Sequence, residues 1–502
     1  MSTSPPQKHG GAIAPKERML RAALLGLVAL LSACKVGPNF HRPDLPPPPE
    51  YKGTGSTGAV VPPPNPQAGT WKSASPSDGM LRGKWWEIYQ DPQLNALEEQ
   101  IAPQNQNLRA AMEAYLSARD QVRVARADFY PTLSVSPATS RDQVSSHRPL
   151  IVSSTNTGYS DFQLEGQASW EPDLWGRVRR SVEAAHENAQ ASAADLANLD
   201  LSLHAELALD YFELRGLDSD ARLLEQTVND YQHQLDLNQQ LVKGGIATEV
   251  VVAQAQALLE TTRAQLVDVK QGRNQYEHAI ATLMNKEARE VTLTPAPLVM
   301  TLPQVPVGVP SQLVERRPDI AAAERRAAAA NAQIGIAISA FYPSVTLGGG
   351  GGFESTNVGT LIQGPSALWS LGAQATELLF DAGRRHALTD QAKHNYESQA
   401  STYRATVLGA FNEVEDRLSD LKVLEDEATT EQRAVAAAQH SLDLSNQRYK
   451  GGATNYLEVL VAEGTLLSNQ RTSTDLITRQ YVASVGLVRA LGGGWDMTQL
   501  PH

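Results

Sequence analysis

The chain has 502 residues, of which 41% are hydrophobic and only 6% aromatic, enough for several domains or one large elongated one. A formal net charge of -12 argues against nucleic acid as a partner, because phosphate binding asks for a basic surface. The single cysteine rules out an intrachain disulfide.

In chain order, Lys16, Arg18 and Arg21 precede the apolar run AALLGLVALL, which falls well short of the ~20 residues a helical span needs. Small residues follow, and the pattern reads as a secretion signal over residues 1–33, with Met1 and Met19 both open as starts. Leu31–Cys34, LSAC, resembles the bacterial lipobox. That resemblance implies cleavage before Cys34 and acylation of its thiol, which adds membrane affinity with every buried methylene. Lys35 rather than Asp follows the cysteine, which by the same resemblance is compatible with the outer membrane. Residues 34–80 are rich in Pro, Gly, Ser and Thr and read as a lipidated tether. Order is expected to begin near Lys84, with Asp91-Pro92 opening a helix.

Phe129-Tyr130-Pro131 recurs as Phe341-Tyr342-Pro343, an offset of 212, and Ala118, Gln121 and Ala125 land on Ala330, Gln333 and Ala337. Further along the offset becomes 207: Gly176-Arg177 lands on Gly383-Arg384, and Lys243-Gly244-Gly245 on Lys450-Gly451-Gly452. The change of five residues falls in a loop-like stretch, where length varies easily. Two copies of one unit are therefore expected, over 81–300 and 301–496, with a tail at 497–502.

Each copy reads helix, strand, loop, strand, long helix, tight turn, helix. Proline lacks a donor and disfavours helix at the residue before it, so Pro131 and Pro343 mark helix-to-strand junctions. Strands are expected at about 131–138, 160–171, 343–352 and 367–380. In the second, Phe162, Leu164, Gly166, Ala168 and Trp170 alternate with Gln163, Glu165, Gln167 and Ser169. In the fourth, Trp369, Leu371, Ala373 and Ala375 alternate with Ser370, Gly372, Gln374 and Thr376. Such alternation fits transmembrane β-strands; a soluble two-faced sheet is the plainer alternative. No segment after the signal has ~18 consecutive apolar residues, so any crossing is by strands.

The long helix of the first copy is expected from about Gly176 to Lys243, roughly 100 Å at 1.5 Å per residue. Leu217, Ala221, Leu224, Val228, Tyr231 and Leu235 make a coiled-coil seam, and Leu424, Ala428, Val435, Ala438 and Leu442 repeat it, interrupted by Glu431. Gly244, Gly245, Gly451 and Gly452 end the long helices in tight turns, the helix-turn tips. The fold class is thus an internally duplicated α+β membrane protein. Four strands cannot close a barrel, and an open edge is not viable in lipid. Copies must pool strands: two chains give about eight with a filled interior, three about twelve with room for an aqueous bore.

CKVGPNFHRP, WWEIYQDPQL, DLWGRVRRSVEAA, VPSQLVERRPDIAAAE, FYPSVTLGGG, LLFDAGRR, RYKGGATNYLEVL and ALGGGW together resemble the outer-membrane efflux proteins (TolC-like), in their NodT-type lipoprotein branch. The resemblance spans nearly all of the mature chain. It implies a homotrimer with a twelve-stranded barrel in outer-membrane lipid and a helical tunnel into the periplasm. The implied partners are a periplasmic adaptor and an inner-membrane transporter of the RND class, with passive conduction and no catalysis. Glu458 stands where members carry an acidic residue after the turn, and is expected to line a constriction at the tip; the plain alternative is a helix-start carboxylate. Val251 departs from the pattern in the first copy, and Glu249 nearby is a compensating candidate. Tyr449 matches a family tyrosine that ties neighbouring helices, and Thr454 lacks the basic residue some members carry.

No HExxH occurs, and the glycine runs 348–352 and 492–494 lack the Lys-Ser/Thr of a phosphate loop. No enzyme, metal, cofactor or nucleic-acid role is expected. Two other readings stay open: an exit duct for an ABC or major-facilitator exporter, and a periplasmic coiled-coil lipoprotein that braces the envelope without a pore.

Overall fold

The structure is a computed structural model and describes residues 35–44, 83–145, 158–298, 302–303, 305 and 315–501. The signal segment, Cys34 and most of the Pro-rich tether lie outside the described residues. After a short 3-10 turn at Trp85–Tyr89, the elements are α1 (Pro92–Gln104), α2 (Gln106–Ala127), β1 (Thr132–Gln143), β2 (Gly158–Trp170), α3 (Arg177–Lys243) and α4 (Glu249–Leu283). The second copy follows as α5 (Pro318–Ser339), β3 (Ser344–Ser355), β4 (Ala367–Thr376), α6 (Arg384–Lys450) and α7 (Tyr456–Ala490). No described helix is long and apolar enough to cross a membrane.

The chain divides into two units whose boundary falls within α2, α3, α5 and α6. The first holds the sheet, two antiparallel hairpins side by side in the order β1-β2-β3-β4. Its ladders begin right after the two prolines, with Thr132 opposite Ser169 and Ser344 opposite Thr376, since Pro131 and Pro343 have no N–H to extend them. Tryptophans secure both junctions: the Trp170 indole donates to the Phe129 carbonyl (2.9 Å) and the Trp175 indole to the Pro343 carbonyl (2.7 Å).

Strand lengths depart from expectation. β1 and β3 run on to Gln143 and Ser355, because polar residues there pair across the ladder although they lack apolar alternation. β4 stops at Thr376 rather than 380, where Ser344 ends its partner and Leu378-Leu379-Phe380 breaks the period of two.

The second unit holds the larger core. Asp91 caps α1 through the N–H groups of Gln93 and Leu94, and Tyr211 of α3 donates to its other oxygen at 2.6 Å. Trp85, Leu94, Ile101, Leu207, Phe212, Ile280 and Val488 pack around them. Inside this core His204 meets Glu98 at 2.6 Å, with the Trp86 ring stacked on the imidazole at 4.5 Å. Glu413 of α6 is held between Arg317 (2.7 Å) and Arg489 (3.1 Å). Along α3 the expected seam is a packing line: Leu224, Tyr231 and Leu235 are buried, and Leu217, Ala221 and Val228 pack against them. The α6 seam is thinner within one chain, with Leu424 and Ala438 buried but Ala428, Val435 and Leu442 only half-buried.

Candidate functional site: sheet wall and helix tips

Because side chains alternate along a strand, the observed registers assign every sheet residue to a face. One face carries Leu133, Val135, Pro137, Phe162, Leu164, Ala168, Trp170, Val345, Leu347, Phe353, Trp369, Leu371 and Ala373, with Arg141 and Gln143 at the far end of β1. The other carries Ser134, Ser136, Gln163, Glu165, Gln167, Ser169, Thr346, Glu354, Ser370 and Gln374. Among the described residues the outer strands of the apolar face are the least covered: Leu133, Trp369 and Leu371 are 81%, 82% and 85% exposed. Water opposes so wide an apolar surface, whereas hydrocarbon accepts it. The glycine run lets β3 sit close on β2: a Cβ on Gly352 would stand 2.1 Å from the Leu164 carbonyl oxygen.

The segment just after the cysteine is clamped within the same unit. Arg180, fully buried, donates to the carbonyls of Val36 (3.1 Å) and Gly37 (3.0 Å). Lys35 pairs with Glu183 at 2.6 Å, and the Val36 N–H reaches the Trp175 carbonyl at 3.2 Å. Cys34 itself lies outside the described residues.

In the second unit the helix pairs reverse in two matching turns. Gly245 and Gly452 take φ of +71° and +70°, a region glycine enters without a Cβ penalty. The Ile246 N–H reaches the Leu241 carbonyl and the Gly245 N–H that of Val242, both at 2.9 Å. Ala453 to Arg448 (2.8 Å) and Gly452 to Tyr449 (3.0 Å) repeat the arrangement, the paired closure of a glycine-terminated helix. Gly244 and Gly451 precede them and are exposed, as are the residues on either side.

Tyr449 packs against the ring of Tyr456, centroids 5.4 Å apart, and so joins the end of α6 to the start of α7. Glu458 lies in the first turn of α7 and pairs with Arg448 at 3.4 Å, both half-exposed. Glu249 is exposed at the start of α4 and takes no part in either contact.

Sequence reasoning missed Glu463. It is 4% exposed on α7, accepts a hydrogen bond from the Gln234 amide, and has an Oε2 without a partner. Tyr456 donates to the same Gln234 at 3.0 Å. The signal was present: Tyr456, Val459, Glu463 and Leu466 follow helical core spacing with a carboxylate in the third place. Burial pushes Glu463 up from 4.5 to about 7; the Gln234 bond opposes the shift and Asp230 adds to it. The folded acid therefore keeps its proton where the unfolded one has lost it, and stability falls as pH rises from 4.5 to about 7. Glu463→Gln is expected to raise the thermal midpoint at pH 8, by up to about 3 kcal/mol of stability, and to leave it unchanged at pH 4. An equal shift at both pH values would contradict this.

A family model described as outer membrane efflux protein matches the chain twice, over residues 97–286 and 309–493. The chain belongs to the outer membrane efflux protein family. This efflux protein is 30% identical to the pyoverdine export outer membrane protein OpmQ of Pseudomonas aeruginosa over 428 residues, 84% of this chain and 90% of that one. It is 30% identical to the outer membrane protein OprJ of Pseudomonas aeruginosa over 479 residues, 94% of this chain and 95% of that one. Among solved structures, the outer-membrane channel OprN superposes with a TM-score of 0.82 at 29% identity, covering 92% of this chain and all of that one. The protein is thus an efflux channel component of the bacterial outer membrane, in a family of transport proteins rather than enzymes.

Proposed function

We propose that three copies of this efflux protein close a twelve-stranded barrel, continued by their helices as a periplasmic tunnel. The observation that carries this reading is the sheet of two hairpins, whose apolar face is exposed on its outer strands and whose two outer edges are unpaired among the described residues. Lipid tolerates the face but not the edges, so the strands of one chain must be completed by others. Three chains give a bore wide enough for water, where two would leave an interior filled by side chains. Gln163, Glu165, Gln167, Ser370 and Gln374, on the polar face, would then line that bore. The half-covered α6 seam leaves apolar surface for a neighbouring chain.

In this reading residues 81–300 and 301–496 are the two efflux repeats, and acylated Cys34 ties the chain to outer-membrane lipid. The clamp of Lys35–Gly37 on Arg180 and Glu183 supports an anchor held beside the strand–helix junction. The helix-turn tips, at Gly244-Gly245 and Gly451-Gly452, face a periplasmic adaptor and an inner-membrane transporter of the RND class. Drugs or other small molecules pass through passively.

Glu458 and Arg448 would form alternating charges at the tip, with Tyr449 and Glu249 nearby as gate candidates. Like carboxylates gathered round one axis attract cations. In planar bilayers the protein is expected to form cation-preferring pores, and Glu458→Ala, which leaves Arg448 uncompensated, to lower that preference several-fold. Unchanged selectivity would remove Glu458 from the constriction; absence of conductance in the wild type would remove the channel.

A further inference from the structure

The segment after the cysteine sits in a groove between α5 and α3, and that groove is made for it. Gly335 allows the approach: a Cβ on Gly37 would stand 2.5 Å from the Gly335 Cα. The Asn331 amide donates to the Pro38 carbonyl at 3.0 Å. Arg180 holds the carbonyls of Val36 and Gly37, and the cations of the segment meet carboxylates, Lys35 on Glu183 and Arg42 on Glu324.

The other repeat carries the same helices with different residues. α2 matches α5 end to end at an offset of 212, and α3 matches α6 at 207. Carried across, Gly335 becomes Arg123, Asn331 becomes Arg119, Glu324 becomes Met112 and Arg180 becomes Ala387. Asp390 replaces Glu183 but pairs with Lys393 at 3.0 Å. In the ring this second groove lies between α2 and α6 of a neighbouring copy. It rejects the anchor segment: a side chain fills the glycine's place, the donor to the carbonyls is gone, and apolar Met112 replaces the carboxylate that met Arg42. What it offers instead is two arginines. Both are exposed; Arg123 pairs only at the surface, with Asp120 at 2.8 Å, and such pairs give way easily.

The depth of these arginines names the occupant. α2 leads through Tyr130, 71% exposed, straight into the apolar face at Leu133. At 1.5 Å per helical residue, Arg126 and Arg123 stand roughly 6 and 10 Å from Tyr130, and Arg119 roughly 16 Å. The headgroup layer reaches about 5–8 Å beyond the hydrocarbon, and an arginine stem bends back across the remaining distance. A guanidinium fork matches phosphate oxygens. We propose that the α2 groove holds the headgroup of an anionic glycerophospholipid from the periplasmic leaflet, so that anchor segments and bound lipids alternate around the ring.

The proposal rests on the ring reading above but can fail separately. Native mass spectrometry of the full protein in detergent, with added phosphatidylglycerol, phosphatidylethanolamine or inorganic phosphate, is the test. The three-chain complex is expected to retain phosphatidylglycerol in preference to phosphatidylethanolamine. Arg119→Gln with Arg123→Gln should weaken that retention about tenfold, since each arginine near an anionic lipid surface adds to binding. Lysine at both positions should keep most of it, and Arg109→Gln, further along α2 from the strands, should change nothing. Equal retention of the two lipids by the unaltered protein overturns the proposal, and that comparison needs no variant to assemble. So does undiminished retention in the glutamine variant, or phosphate bound without lipid. If the unaltered protein has no three-chain mass, the ring is wrong and the groove with it.

Discussion

Leu371→Arg is expected to abolish the assembled protein, while Ser370→Arg, one residue away on the same strand, leaves it intact. The registers put Leu371 in the middle of the apolar face and Ser370 on the opposite one. A cation at the bilayer midplane costs about 2–4 kcal/mol on the lipid face of a barrel strand, and a symmetric trimer would incur it three times. An arginine in an aqueous bore keeps its water. The readout is the fraction of protein recovered from outer membranes as a heat-sensitive oligomer. Equal recovery of both variants, or equal loss, would contradict the assignment of faces.

The second large effect lies in the helical unit. The Arg317 guanidinium donates to Asp319 (2.7 Å), Glu413 (2.7 Å) and the Ala490 carbonyl (3.0 Å). Burial works against the Glu413 carboxylate, but the bonds from Arg317 and Arg489 outweigh it and hold its pKa below the usual range. Its contribution is therefore present above the ordinary carboxylate range and lost as pH falls through the depressed value. Arg317→Ala leaves two carboxylates and a carbonyl around an empty place, at a cost of about 3–5 kcal/mol. Denaturant or thermal unfolding in detergent at pH 7 measures it. Adding Glu413→Gln is expected to restore part of the loss by removing one stranded charge. A loss under about 1 kcal/mol would show that the cluster is not the tie it resembles.

Much of this architecture was legible because the chain states it twice. A three-residue match is weak, but two offsets shared by a junction, a Gly-Arg step and a glycine turn fix a duplication. The same offsets reappear in the hairpin ladders to the residue. Proline chemistry marked the first residue of β1 and β3, and glycine chemistry marked the tips. Strand ends were less legible: Thr139–Gln143 is polar and carries no apolar period, yet pairs with β2 because ladder bonds use backbone rather than side chains. The Arg448–Glu458 pair was out of reach because it joins two helices across a turn. Glu463 was within reach: a carboxylate on a core stripe is a conflict between pattern and chemistry, and such conflicts mark the places to examine first.

Native mass spectrometry of the detergent-solubilised protein, with electron microscopy of the same preparation, tests the central claim most directly. A complex of three chains enclosing an open bore is the predicted result. A stable monomer, or a protein that stays in water without detergent, would contradict it.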